Sequence, residues 1–226
     1  MRALVLGNDG DHDPGLIGSR AEFHGYHLEI GVREQHSSWP TLDGVDLVLS
    51  LGSEWSVYWD HVQRHVEPEI ALLRDAHRRD IPVLGICFGS QLLAAAHGGS
   101  VARSPHPEIG WFDVRPNDAG NGLIEPGPWF QWHDDRWEVP PNGIVLADND
   151  AGNQAFSLGR TLATQFHPEL TEGVLRSWLD VFGGRAVMAE RGIDVEAVLA
   201  QTAQCSRAAE ARASALFDGF VKTFVP

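Results

Sequence analysis

Two cysteines in 226 residues are too few for a disulfide framework or a zinc knuckle, and Cys87 and Cys205 each stand alone. Cationic side chains are also scarce. Seventeen Lys and Arg face 31 Asp and Glu, for a net charge of −14. That balance excludes a nucleic-acid partner, because phosphate binding needs a positive surface. Long apolar runs are missing as well: the first one, before Gly7, has about five residues, shorter than a signal peptide needs. No later segment is long enough to span a bilayer. The expectation is a cytoplasmic protein, with no membrane partner and with reduced thiols. "GNDGDHDPG" (7–15) has neither a following Gly-Lys-Ser/Thr nor a G-x-G-x-x-G pattern, so no nucleotide site and no cofactor are expected. Repeats, low-complexity tracts and linkers are absent too, which predicts one domain over 1–226.

What is present fits a packed globular chain: 43% apolar residues, 21% charged residues and eight tryptophans. "RALVLG" (2–7), "YHLEIG" (26–31), "GVDLVLSLG" (44–52) and "IPVLGI" (81–86) read as strands. Helices are predicted over 15–24, over 59–80 with Pro68 marking a kink or break, and over "SQLLAAAHGG" (90–99). This alternation predicts a parallel sheet covered on both faces. Short β-rich segments between 109 and 169, punctuated by Gly, Pro and Asn, suggest antiparallel strands that extend the sheet. Helix returns at 170–182. A helical C-terminal extension (184–226) follows, with two amphipathic stretches from about 193 to 221.

Gly85-Ile86-Cys87-Phe88-Gly89 fits G-x-C-x-G, a strand-to-helix turn that leaves no room for β-carbons beside a nucleophile. A thiol there sits at a helix N-terminus, which favours thiolate, and the Phe88 N–H would face a developing oxyanion. The competing reading is a core cysteine after a buried strand. "ATQFHPE" supplies His167 and Glu169. Residues two apart on a strand project to one side, so His167 could take the thiol proton while Glu169 orients the ring. The competing reading is a surface His before a helix.

"VLGICFGSQLLAAAHGG" followed by "QFHPE" resembles the class I (triad-type) glutamine amidotransferases, nearest to stand-alone members similar to the amidotransferase domain of GMP synthase. "SVY" (56–58), "PEIGWFDV" (107–114), "FQWHDDRWEVPPNG" (130–143) and "NQAF" (153–156) extend the resemblance through Glu169. It implies a flavodoxin-like three-layer α/β fold with added antiparallel strands. It also implies a glutaminase in which Cys87 attacks the glutamine side-chain amide, His167 moves protons and Glu169 holds the imidazolium. Gln91 matches a family position that helps bind glutamine. By the same analogy His133 and Asp135 lie near the glutamine pocket, the alternative being a solvated turn. The family's Gly-Gly-Pro after the third strand is replaced here by Gly52-Ser53-Glu54. Ser53 could still offer its backbone N–H to the oxyanion hole, with less rigidity than a proline gives.

Several other features have bland readings. The "WHDDRW" carboxylates Asp134 and Asp135 would face opposite ways on a strand, so no metal is expected. Glu108 and Trp111 could line the pocket rim but are expected to pack, His61, His65 and His77 to be solvated, and Cys205 to pack in a helix. Three functions compete. The first is a glutaminase passing ammonia to a separate synthase, since no ATP-pyrophosphatase domain accompanies the motifs. The second is a γ-glutamyl peptide or amide hydrolase with the same triad, and the third a non-catalytic regulatory or scaffold homologue. A homo-oligomer stays open.

Overall fold

The computed structural model describes residues 1–225. Its strands are β1 (Arg2–Gly7), β2 (His27–Val32), β3 (Leu47–Ser50), β4 (Val83–Ile86), β5 (Ser100–Pro116), β6 (Gly127–Glu138), β7 (Ile144–Asn149), β8 (Gly152–Leu158) and β9 (Thr161–Thr164). The helices are α1 (Gly15–Phe23), α2 (Gln63–Arg78), α3 (Phe88–Ala96), α4 (Glu172–Asp180), α5 (Gly184–Glu190) and α6 (Val195–Phe224). All nine strands form one sheet in the order β2-β1-β3-β4-β9-β8-β7-β5-β6. From β2 to β9 neighbours run parallel. From β9 to β6 they run antiparallel. The parallel half has the flavodoxin-like order 2-1-3-4-5, with β9 in fifth place.

Alternation along the central strands sorts the core onto two faces. Ala3, Val5, Leu47, Leu49, Leu84 and Ile86 pack toward α1 and α6. Leu4, Leu6, Val48, Val83 and Ala163 pack toward α2 and α3. Both faces being covered, β3, β4 and β9 are buried at every position, which is why β3 and β4 read as largely apolar runs, whereas β9 carries a buried threonine at each end. Among the described residues no helix is long and apolar enough to cross a membrane.

Three expectations change. Pro68 neither ends nor divides α2, which is one helix of 16 residues. The proline lies in its N-terminal half, and burial of Val66, Glu69, Leu73 and Ala76 outweighs one lost backbone bond. The two amphipathic stretches of the tail are a single 30-residue helix, α6, capped by Asp194, whose side chain accepts from the N–H groups of Glu196 and Ala197. Ala213, Leu216, Phe217 and Phe220 seat it on the sheet face. Asp218 pins it to α1 through Arg20 at 2.6 Å and His24 at 2.7 Å. Finally, His65 is buried and not solvated. Its ring stacks on Trp55 with centroids 5.4 Å apart, and burial lowers its pKa.

Candidate active site

The carboxyl ends of the parallel strands converge on one crevice, the place where open α/β sheets bind ligands. At the end of β4 the chain reverses directly into α3 through Cys87, whose φ of 50° and ψ of −106° lie outside the regions open to ordinary residues. The elbow is held by the Cys87 N–H, which donates to the Thr164 carbonyl at 2.7 Å, and by the Gly89 N–H, which donates to the Leu51 carbonyl at 3.1 Å. Gly89 must lack a side chain, because a Cβ there would overlap the Ser50 carbonyl at the end of β3. Close packing of two chain segments thus raises the thiol into the crevice. The Cys87 Sγ lies 3.6 Å from the Trp132 carbonyl and 3.6 Å from the Gln165 amide nitrogen.

His167 and Glu169 lie just beyond β9, in a turn rather than on the strand. Strand alternation therefore does not bring them together; the turn does. The His167 Nδ1–H donates to Glu169 Oε1 at 2.7 Å, and both side chains are buried. The other ring nitrogen, Nε2, is buried without a protein partner. Burial by itself depresses the His167 pKa, but the charges of the neighbouring Glu169 and Cys87, together with the Glu169 hydrogen bond, overcome it, so the imidazole is held well above its usual value. The Glu169 backbone is fixed in turn, since its carbonyl accepts from the Leu16 N–H at the start of α1, at 2.9 Å.

Gly52 and Ser53 follow β3 and complete the near wall. A Cβ on Gly52 would lie 3.1 Å from His167 Cε1 and 3.7 Å from Cys87 Cβ. Among the described residues, the backbone N–H groups of Ser53 and Phe88 meet no acceptor. The resulting cavity of about 120 Å³ is lined by Gly52, Ser53, Cys87, His167 and Glu169, together with Asp11, Asp13, Glu54, Trp132, Trp178, Phe182, Gly184 and Val187.

Four of the expected site residues lie outside that lining. Phe88 is buried beside the cavity as the first residue of α3, while Gln91 is buried one turn further along. His133 and Asp135 do not line the pocket and are not a solvated turn either. His133 Nε2 pairs with Glu108 Oε2 at 3.1 Å, and Asp135 accepts from the Tyr58 hydroxyl at 2.8 Å. Glu108 also accepts from Asn149 and Gln154, forming a buried polar network within the antiparallel half of the sheet. Asp134 turns outward to Arg191 at 2.6 Å.

The residues that sequence reading passed over come from both ends of the chain. Asp11 belongs to the "GNDGDHDPG" loop after β1, and Trp178 Nε1–H donates to its Oδ1 at 2.9 Å. Burial raises the Asp11 pKa, the Trp178 bond opposes this and the nearby Glu169 reinforces it. Gly184 is needed because a Cβ there would press on the Trp132 ring at 2.6 Å. Only the paired acidic residues of the loop signalled a site, and no local pattern joined them to Cys87.

The fold and the elbow together define an α/β protein that carries a thiol at the carboxyl edge of its sheet. The family is set by comparison. The model of the class-I glutamine amidotransferases matches residues 59–180, and the chain belongs to that family. It is 34% identical over 155 residues to a GMP synthase [glutamine-hydrolyzing] of Aeropyrum pernix, covering 64% of this chain and 28% of that protein. A GMP synthase [glutamine-hydrolyzing] of Bdellovibrio bacteriovorus is 32% identical over 179 residues, covering 75% of this chain and 33% of the relative. The chain thus spans a third or less of these relatives' length. Among solved structures, a glutamine amidotransferase of Thermotoga maritima shares the fold with a TM-score of 0.89 at 22% identity, over 99% of both chains. One from Methylobacillus flagellatus does so at 0.85 and 21% identity, over 98% of this chain and 94% of the other.

Proposed function

We propose that this protein hydrolyses the side-chain amide of glutamine through a Cys87–His167–Glu169 triad and releases ammonia. The observation that carries the reading is the shared cavity. A thiol on a positive-φ elbow and a buried imidazole with one nitrogen tied to a carboxylate and the other free face the same small space. In the first step the thiol sulfur bonds to the amide carbon while its proton passes to His167 Nε2. The oxyanion so formed is stabilised by the Ser53 and Phe88 N–H groups. The proton on Nε2 then moves to the departing nitrogen, the C–N bond breaks, and ammonia leaves behind a γ-glutamyl thioester. Water, deprotonated by His167, adds to the thioester carbon; glutamate departs and the proton returns to sulfur. Glu169 stabilises the imidazolium at each stage. The relatives named GMP synthase suggest a separate synthase as the ammonia acceptor. Glutamate release by the purified protein tests the reading: it should require Cys87, and release undiminished in Cys87→Ala would refute it.

One observation favours a second substrate class. The cavity lining carries three carboxylates besides Glu169, namely Asp11, Asp13 and Glu54, and no Lys or Arg. A γ-glutamyl amide whose amine portion is cationic would meet complementary charge at that mouth, and the same thioester chemistry would cleave it. Rates on glutamine, a γ-glutamyl diamine and γ-glutamylglutamate separate the two readings. A preference for the diamine that disappears in Asp13→Asn/Glu54→Gln supports the hydrolase. Equal or lower turnover of the diamine leaves glutamine as the substrate.

A further inference from the structure

The wall of the cavity that carries Ser53 lacks the family's proline, yet it is anchored from behind. Arg33, in the 3-10 segment after β2, is 0% exposed and pairs with Glu69 of α2, also 0% exposed, at 2.6 Å. Its guanidinium donates to the Gly52 carbonyl at 2.9 Å and to the Leu51 carbonyl at 2.8 Å. Asn8 Oδ1 accepts from the same guanidinium at 2.6 Å, and the Ser50 hydroxyl donates to Glu69 at 2.7 Å. The Gly52 carbonyl and the Ser53 N–H belong to one trans peptide and point in opposite directions. Holding the oxygen toward Arg33 therefore aims the N–H away from it, on the side where Cys87 and His167 approach Gly52. Arg33 also lies over the ring of Phe88, 5.0 Å from its centroid, and Leu51 O is shared with the Gly89 N–H of the elbow.

We infer that the buried Arg33–Glu69 pair is a positioning device for the oxyanion hole: it fixes the Gly52–Ser53 peptide and registers it against the elbow. Arg33 touches no substrate and acts through that peptide. The inference rests on the reading of Cys87 as nucleophile and Ser53 N–H as oxyanion donor. A planar guanidinium with five donors can grip Glu69 and both carbonyls at once, whereas an ammonium cannot.

The test is Arg33→Lys, which keeps a positive charge opposite Glu69. Glutamine turnover should fall about 10- to 100-fold in kcat, less than outright deletion of an oxyanion donor costs, with KM moving less than about threefold. Alkylation of Cys87 by iodoacetamide needs a reactive thiol but no oxyanion hole, so its rate should stay within about twofold. Wild-type kcat in folded Arg33→Lys overturns the inference. So does a fall in alkylation parallel to that in kcat, since Arg33 would then support the whole elbow. If the single variant does not fold, Arg33→Met/Glu69→Met, which leaves no unpaired buried charge, is measured instead. The same fall in kcat with unchanged alkylation is expected of it, and the same two results overturn the inference. Wild-type protein that releases no glutamate through Cys87 would instead overturn the parent reading. The two failures are thereby distinguishable.

Discussion

Replacing Glu169 by Gln removes a charge and little else, because the amide oxygen can still accept from the His167 Nδ1–H in the 2.7 Å contact. Glu169 is 2% exposed and its second oxygen has no protein partner. The imidazolium is therefore its nearest compensating charge. At an effective dielectric of about 20, opposite charges about 4 Å apart attract by about 4 kcal/mol. If that attraction is felt only while His167 carries the proton, its loss raises the barrier by a comparable amount, or about 10³-fold in rate. The pH profile should move as well. Burial is the largest influence on His167 and acts to lower its pKa, while Glu169 is the largest one raising it. In Glu169→Gln the imidazolium is lost at lower pH, so the acid limb of kcat/KM, set by protonation of the His167 base, shifts down. The assay is glutamate release across pH, paired with thermal unfolding to confirm folding. A folded variant within about tenfold of wild type, with an unmoved acid limb, would refute the electrostatic role given to Glu169.

Gly89→Ala should abolish turnover by about 100-fold or more through displacement of the nucleophile, since its Cβ cannot coexist with the Ser50 carbonyl; glutamate release with a circular dichroism check measures this. His97 is pushed down to about 4, chiefly by burial and then by His77 and Arg74. Its contribution to stability is complete above the unfolded value of about 6.5 and is lost as pH falls through the folded one. Urea midpoints at neutral and acid pH should show a loss of up to about 3 kcal/mol, reduced in His97→Leu. Phe217→Ala should cost about 3–5 kcal/mol, because this fully buried ring of α6 packs edge-on to Tyr26. An unchanged urea midpoint would show that α6 does not belong to the folding unit.

The parts of this molecule legible in its sequence are those whose causes are local. The central strands announce themselves because both their faces are buried, and the elbow because two glycines are sterically required around one cysteine. His167 and Glu169 were legible as a pair, although a turn rather than a strand joins them. Arg33 and Glu69 were not. They stand 36 residues apart, and no periodicity marks an ion pair formed by two helical segments closing on the loop after β3. Asp11 and Trp178, 167 residues apart, meet only once the sheet order is set. The division expected in the tail has a compositional cause: "AQCSRAAEA" interrupts the apolar stripe with small and polar residues, yet contains no helix breaker. α6 accordingly continues through it.

The central claim is that Cys87 becomes acylated by the γ-carbonyl of its substrate. Acid-quenching the protein during turnover of glutamine and measuring intact mass and peptide maps tests it most directly. A single γ-glutamyl group on Cys87, absent from Cys87→Ala, is the predicted result. Glutamate accumulating in Cys87→Ala, or a γ-glutamyl group mapped to any other residue, would contradict it.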